Sequence, residues 1–363
     1  MKARFFAVVA LLLGLAACQN EPTDLNVGVE GDGLVTINVA LPDDATRAGG
    51  TDSAVGAIGN VDLDNYDIRY ILEVYDASGE LAKERLVNFE DTATTTAFDL
   101  RLIPGRKYSF VVWADFVKEV AVTRDPNGDY DEYYETSAGL TNVSVDTNWV
   151  AMEETRDAYT GVVAVDNFSS AKTINLSLTR PFAKMRVITT DIKDLFGIMP
   201  KQATVKYTSK LYTSFNALTA TAGDLKGNID AKVVDLTTAI FTNDDTANTG
   251  KMTLFADYFF GAENGVIKFT MDIVDSTNQT IPTVVFSNDI PVARNYLTTI
   301  VGPMLTDAGN ITVTIDSEFT NQDNLEDKPY YIEIWDGKTT NAPRFDTERN
   351  AYIIEKGSEL AWL

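Results

Sequence analysis

Three observations predict an all-β protein built as two tandem sandwiches: a period-two alternation of apolar residues, many β-branched and aromatic residues in those runs, and few helix signals. Val35, Ile37, Val39 and Leu41 alternate with Thr36, Asn38 and Ala40. Ile68, Tyr70, Leu72 and Val74 alternate with Arg69, Ile71 and Glu73. Phe98, Leu100 and Leu102 lead into Pro104-Gly105, and Tyr108, Phe110 and Val112 leave it, which reads as a hairpin. Ile174, Leu176 and Leu178, then Ile267 to Ile273, then Ile311 to Ile315 repeat the pattern. Each run puts apolar side chains on one strand face and polar ones on the other. The clearest helix signal is Asp191 to Phe196, with Asp191 as cap and Gly197 as stop.

These runs divide the chain into a leader over 1–17, a polar tether over 18–33, a first sandwich over 34–170 and a second over 171–320. Residues 321–363 hold a polar linker and a partial further segment. That segment contains the alternating run Tyr330 to Trp335, a candidate donor strand or the start of a third domain.

Composition narrows the chemistry. The 363 residues include 53 Asp and Glu against 30 Lys and Arg, a formal charge of −23, with no His and one Cys. Nucleophilic triads that need His are excluded, as are His-ligated zinc and iron sites. The acidic field repels nucleic acid, so no nucleic-acid partner is expected. With so many acids, a pair of neighbouring carboxylates carries no information. No cofactor and no enzymatic activity are expected.

The single cysteine, Cys18, follows Lys2, Arg4, an apolar run from Phe5 to Leu15, and Ala16-Ala17. This is the architecture of a secretion signal, and the apolar run is shorter than the roughly 20 residues of a membrane span. Leu15-Ala16-Ala17-Cys18 resembles a bacterial lipobox, which implies cleavage before Cys18 and acylation there. The expected location is the outer membrane and cell surface, on a lipid anchor. Removing the leader takes Lys2 and Arg4 and leaves 28 basic against 53 acidic residues, a charge of −25.

Residues 43–60 contain four glycines and few large apolar groups, so the segment buries too little to order itself well. Arg47, followed by Ala48, is the only Lys or Arg between Arg4 and Arg69. On the residues alone it reads as a solvated arginine in a polar loop. Asp125, Asn127, Asp129 and Asp131 alternate as calcium ligands do, but Gly128 is fourth rather than sixth and Thr136 stands at position twelve. A polar turn is the simpler reading. Trp113, Trp149, Tyr130, Tyr133 and Tyr134 are either core residues or a stacking platform for sugars.

Several of these stretches resemble the fimbrillin-like surface lipoproteins. They are the lipobox, Leu41-Pro42 with Thr46-Arg47-Ala48 after it, and Phe98 to Arg106 leading to Tyr108–Asp115. Leu178 to Met185, Arg294 to Gly302 and Leu305-Thr306-Asp307 with Ile311 to Phe319 complete the match. The resemblance implies two transthyretin-like Greek-key sandwiches. It implies a fimbrial subunit or adhesin, with a cut after Arg47 that frees the first strand and lets a neighbouring subunit's strand take its place. The expected partners are other fimbrial subunits, the membrane anchor, and a host or bacterial surface ligand. The alternative is a surface glycan-binding lipoprotein of a polysaccharide-uptake system.

Overall fold

The computed structural model describes residues 33–42, 57–58, 61–62, 65–118, 133–168, 171–195, 198–237, 251–306, 311–316, 332–333, 340, 342–346, 351–353 and 360–362. The protein is all-β, with sheets stacked in sandwich-like layers. Among the described residues, no helix is long and apolar enough to cross a membrane.

The N-terminal half holds β1 (Leu34–Ala40), the small pair β2 (Ala57–Ile58) and β3 (Val61–Asp62), β4 (Tyr66–Asp76), β5 (Leu81–Glu90), β6 (Thr95–Arg101) and β7 (Arg106–Lys118). After it come β8 (Val143–Ser144), β9 (Ala158–Phe168) and β10 (Lys172–Ser177). A three-stranded sheet in the order β10-β1-β6 faces a four-stranded sheet in the order β5-β4-β7-β9. Their core joins Val35, Ile37 and Val39 to Tyr70, Leu72, Phe110, Val112 and Phe168. The alternating positions read from the sequence are those that point inward.

Pro104-Gly105 makes no hairpin. The strand before it pairs with β1 and the strand after it pairs with β4 and β9. Gly105, at φ +78°, turns the chain from one sheet to the other. Lys172–Ser177 runs parallel to β1, although a boundary at 170/171 would place it in the second sandwich.

The C-terminal half continues with β11 (Phe182–Thr189), β12 (Pro200–Tyr207), β13 (Leu211–Asn216), β14 (Thr221–Lys226), β15 (Lys232–Asp235) and β16 (Met252–Phe260). Then come β17 (Gly265–Asp275), β18 (Thr280–Val292), β19 (Leu297–Gly302) and β20 (Thr312–Asp316). One sheet runs β14-β13-β16-β11-β19-β20 and faces β15-β12-β17-β18. The core between them includes Met185, Val187, Phe269, Met271 and Ile300. Beyond it, β21 (Ile332–Glu333) pairs with β20, and β22 (Arg344–Asp346) pairs with β23 (Ala351–Ile353).

Two expectations need correction. The helix expected at Asp191 to Phe196 is a short 3-10 turn, Ile192–Leu195, and the Asp191 carboxylate reaches across space to the amides of Leu305 and Thr306. Arg69 and Glu73, placed by alternation on a solvated face, are 0% and 3% exposed. The segment 133–157 and the second core cover that face. Trp113 meets Tyr134 and Phe182 edge-on at 5.5 and 6.4 Å.

The buried charges on this covered face are matched. Arg69 forks onto Asp115 at 2.7 and 2.9 Å. Arg156, Trp149 Nε1 and the Tyr207 hydroxyl all donate to Asp257, at 2.7 to 3.0 Å. Arg180 holds Asp157 at 2.8 Å. Burial is the main force pushing the Asp157 carboxyl up, against the pull of Arg180.

Candidate functional site: the bed of the first strand

β1 is the central strand of its sheet and supplies the middle row of its core. Leu34-Val-Thr-Ile-Asn-Val-Ala40 is β-branched at Val35, Thr36, Ile37 and Val39, which favours an extended, half-buried strand. Val35, Ile37, Val39 and Leu41 are at most 5% exposed. On the outer face, Thr36 donates to Asp99 at 2.6 Å and Asn38 to Asn175 at 2.9 Å, bonding β1 to both neighbours.

The ladders on both sides are regular. β1 runs antiparallel to β6 from Leu34↔Arg101 to Ala40↔Thr95, and parallel to β10 from Val35↔Lys172 to Ala40↔Ser177, with no register shift. The ends are tied by backbone alone: Leu102 donates to Gly33 at 2.9 Å, and Leu41 donates to Thr94 at 2.9 Å. Gly33 sits at φ +72°, where an added Cβ would strike the Leu102 carbonyl, so only glycine fits the start of the strand.

Beneath β1 the bed is apolar. Tyr70, Leu72, Phe110, Val112 and Tyr159 form its floor. Their polar tips are turned to partners: Tyr70 donates to the Ala93 carbonyl at 3.1 Å and Tyr159 to Asp157 at 2.9 Å. Burial raises the Tyr70 hydroxyl well above its ordinary range. The nearest charges lie at its margin: the Arg180 guanidinium, 4.9 Å from the Tyr159 ring centre, is paired with Asp157. The bed is built to hold an extended strand with apolar residues at every second position.

Four inward side chains at ~1.5–3 kcal/mol each make β1's burial worth ~6–12 kcal/mol. Emptied of β1, the bed would expose an apolar trough flanked by two unpaired strand edges, the geometry that strand addition fills.

Several residues singled out from sequence lie outside the described residues: Cys18, Arg47, Ala48, Asp125, Asn127, Asp129 and Asp131. Among the described residues, no group of three or more His, Cys, Asp or Glu could hold a metal ion. The sugar-platform reading is corrected for Trp113, Tyr134 and Trp149; Tyr133 is half-buried, with its hydroxyl bonded to Thr155. Trp113, Tyr134 and Trp149 are 0%, 1% and 8% exposed, packed where the 133–157 segment closes on the sheets, and cannot stack on a ligand. The parallel partner β10 was not foreseen as a wall of the bed. Its alternation was legible, but nothing in a single sequence pairs strands about 137 residues apart.

The fold and this bed define the class: an all-β sandwich protein whose first strand is held between two later ones. The chain belongs to a family of unknown function, DUF6562, whose match spans residues 28–354. No curated protein matches it. Among solved structures it is similar to a candidate cell adhesion protein from Bacteroides eggerthii, at 16% identity and TM-score 0.43, covering 79% of this chain and 96% of that one. A fimbrial assembly protein from Parabacteroides distasonis is similar at 10% identity and TM-score 0.40, covering 79% and 97%. A candidate polysaccharide-binding protein from Bacteroides thetaiotaomicron is similar at 12% identity and TM-score 0.43, covering 80% and 98%. Likeness at this level does not decide what this chain does.

Proposed function

We propose that the protein is a non-enzymatic surface lipoprotein of fimbrillin type, a fimbrial subunit or adhesin anchored through acylated Cys18, that assembles by exchange of β1. The observation that carries this reading is the position of β1. It is central, regular in both ladders, apolar on its inner face, and joined to the rest of the molecule through the segment that contains Arg47. A cut between Arg47 and Ala48 leaves β1 held by non-covalent contacts alone. An incoming strand from another subunit that matches its alternation regains the same burial and the same ladders. The reading further takes residues 34–170 and 171–320 as two units, with residues 172–178 of the second lending their strand to the first core.

The test is the N-terminus of the protein recovered from cells in its assembled form. A chain beginning at Ala48 supports the reading, and Arg47→Ala should then abolish assembly while leaving the fold intact. Assembled chains that all retain Cys18 and β1 would overturn strand exchange. A Cys18→Ala protein that still fractionates with the outer membrane would overturn the anchor.

A further inference from the structure

Sheet edges offer unpaired backbone groups, and most edges here are guarded. β5 presents Lys83, Glu84 and Arg85. β6 is met by the Asn88 side chain, which donates to the Ala97 carbonyl at 3.1 Å. β14 is broken by Asp224 at φ +51°, β15 has only four residues, and β18 contains prolines at 282 and 291, which have no amide hydrogen. Charge, proline, irregularity and short length are the devices that block edge-to-edge pairing.

β10 carries one charge, Lys172 at its start, and along Thr173-Ile-Asn-Leu-Ser177 it has no charge, proline or irregularity. Leu178 donates to Ala40 of β1, whereas Thr179 donates the other way, to Thr160 of β9 at 2.9 Å. By strand alternation the amides of Thr173, Asn175 and Ser177 point as Thr179 does, away from β1. Among the described residues, no strand ladder pairs with that side. Just past β10, Thr179 bridges to Thr160, and among the described residues β9 and β10 form no backbone ladder with each other. The gap is a cleft of about 240 Å³ lined by Gly161, Val162, Leu176, Ser177, Ala220 and Arg294. Val162 is 37% exposed and Leu176 is only partly covered. Gly161 keeps the cleft wall thin, since a Cβ there would meet Leu178 at 2.8 Å.

We propose that the outer edge of β10 is a second strand-addition site, independent of the β1 bed, that takes an extended acidic peptide. Strand pairing uses the outward amides and carbonyls of Thr173, Asn175 and Ser177. Leu176 and Val162 accept an apolar side chain of the peptide. Arg294 gives the acidic preference: it lines the cleft, with Nη1 donating to the Ala220 carbonyl and the guanidinium 5.8 Å from the Phe215 ring centre, which holds it in place. Its nearest carboxylate is Glu263, 3.8 Å away on a side chain 84% exposed. A peptide carboxylate that displaces so solvated a partner gains a charge-assisted hydrogen bond.

The test uses full-length protein carrying Arg47→Ala, so that β1 stays in place, and a fluorescent octapeptide alternating valine and threonine with two glutamates. Anisotropy should report saturable binding, and hydrogen exchange should show slowed amides over 173–177. Ser177→Pro removes an outward amide without touching the β1 ladder and should weaken binding about tenfold or more. Ser177→Lys, which charges the edge without altering the backbone, should do the same should the proline variant fail to fold. Arg294→Gln should reduce the preference for this peptide over its glutamine analogue. No binding up to ~1 mM, or undiminished binding by a folded Ser177 variant, would overturn the proposal.

Discussion

β1 and β19 occupy the same place in their respective sheets. Each has one parallel neighbour, β10 or β11, and one antiparallel neighbour, β6 or β20. Each buries an apolar row, with Ile37 and Ile300 both fully covered. They differ in what holds their ends and what covers their outer faces. β1 is tied by main-chain hydrogen bonds, and Thr36 and Asn38 on its outer face look into solvent. β19 is buried on both faces, with Thr298 and Thr299 at 0% and 4% exposed. The Asn295 side chain accepts from the Arg180 amide before it, and the Asp191 carboxylate accepts from the Leu305 and Thr306 amides at 3.0 and 2.7 Å after it. One pattern of ladders thus yields one strand with an open outer face and main-chain ties, and another that is covered on both faces and clamped by side chains. The difference lies in side-chain clamps and in the second covering layer.

The largest effect should come from taking β1 away. After cleavage at Arg47 and removal of the 18–47 piece, the loss of ~6–12 kcal/mol of burial should open β6 and β10 to rapid hydrogen exchange. The amides of β19 should stay protected. Loss of protection spread evenly over both sandwiches would erase the distinction between the strands.

Single truncations come next. Ile37→Ala and Ile300→Ala should each cost ~2–5 kcal/mol in denaturant unfolding, since both leave cavities in closed cores. Asn38→Ala, which loses one exposed hydrogen bond to Asn175, should cost under ~1 kcal/mol. Similar losses at Ile37 and Asn38 would contradict the inward row.

The clamp is the third point of attack. Asp191 is 3% exposed, and Asp191→Ala strands the Leu305 and Thr306 amides, so a loss of ~1–3 kcal/mol is expected, confined to the C-terminal half. If β19 kept its exchange protection in this variant, the clamp would not explain its permanence.

The smallest effect is a pH dependence in the second half. Lys232 lies 2% exposed, its Nζ donating to the Thr147 carbonyl at 2.7 Å and sitting 3.8 Å from the Trp149 ring centre. Burial pulls its ammonium from 10.5 down to about 8; Asp257, Asp230 and Asp146 oppose this and Arg156 reinforces it. Between those two values the unfolded chain binds more protons than the folded one, so this group makes stability rise with pH across that window. Lys232→Met should flatten the rise, measured as unfolding midpoint against pH. An unchanged slope would place the titration elsewhere.

The strands themselves were legible in the residues because period-two alternation is a local property. Val35–Leu41, Ile68–Val74 and Ile267–Ile273 face inward as their spacing requires. Local reading failed where a face had a second use. Arg69 and Glu73 look solvated until the 133–157 segment covers them, and Trp113 looks free until Tyr134 and Phe182 close on it. Pro104-Gly105 names a turn but not the sheet into which the next strand goes.

The sequence by itself determined that the protein is all-β, that it lacks histidine chemistry, and which side chains of each strand are apolar. These follow from composition and from spacing along one strand. Only the tertiary structure decided that β1 lies between β6 and β10, that β10 has β1 as its one ladder partner among the described residues, and that Asp191 pins the far end of β19. Those facts depend on which distant segments meet, and a pairing between strands is fixed by shared burial and register across the whole sandwich rather than by either strand alone.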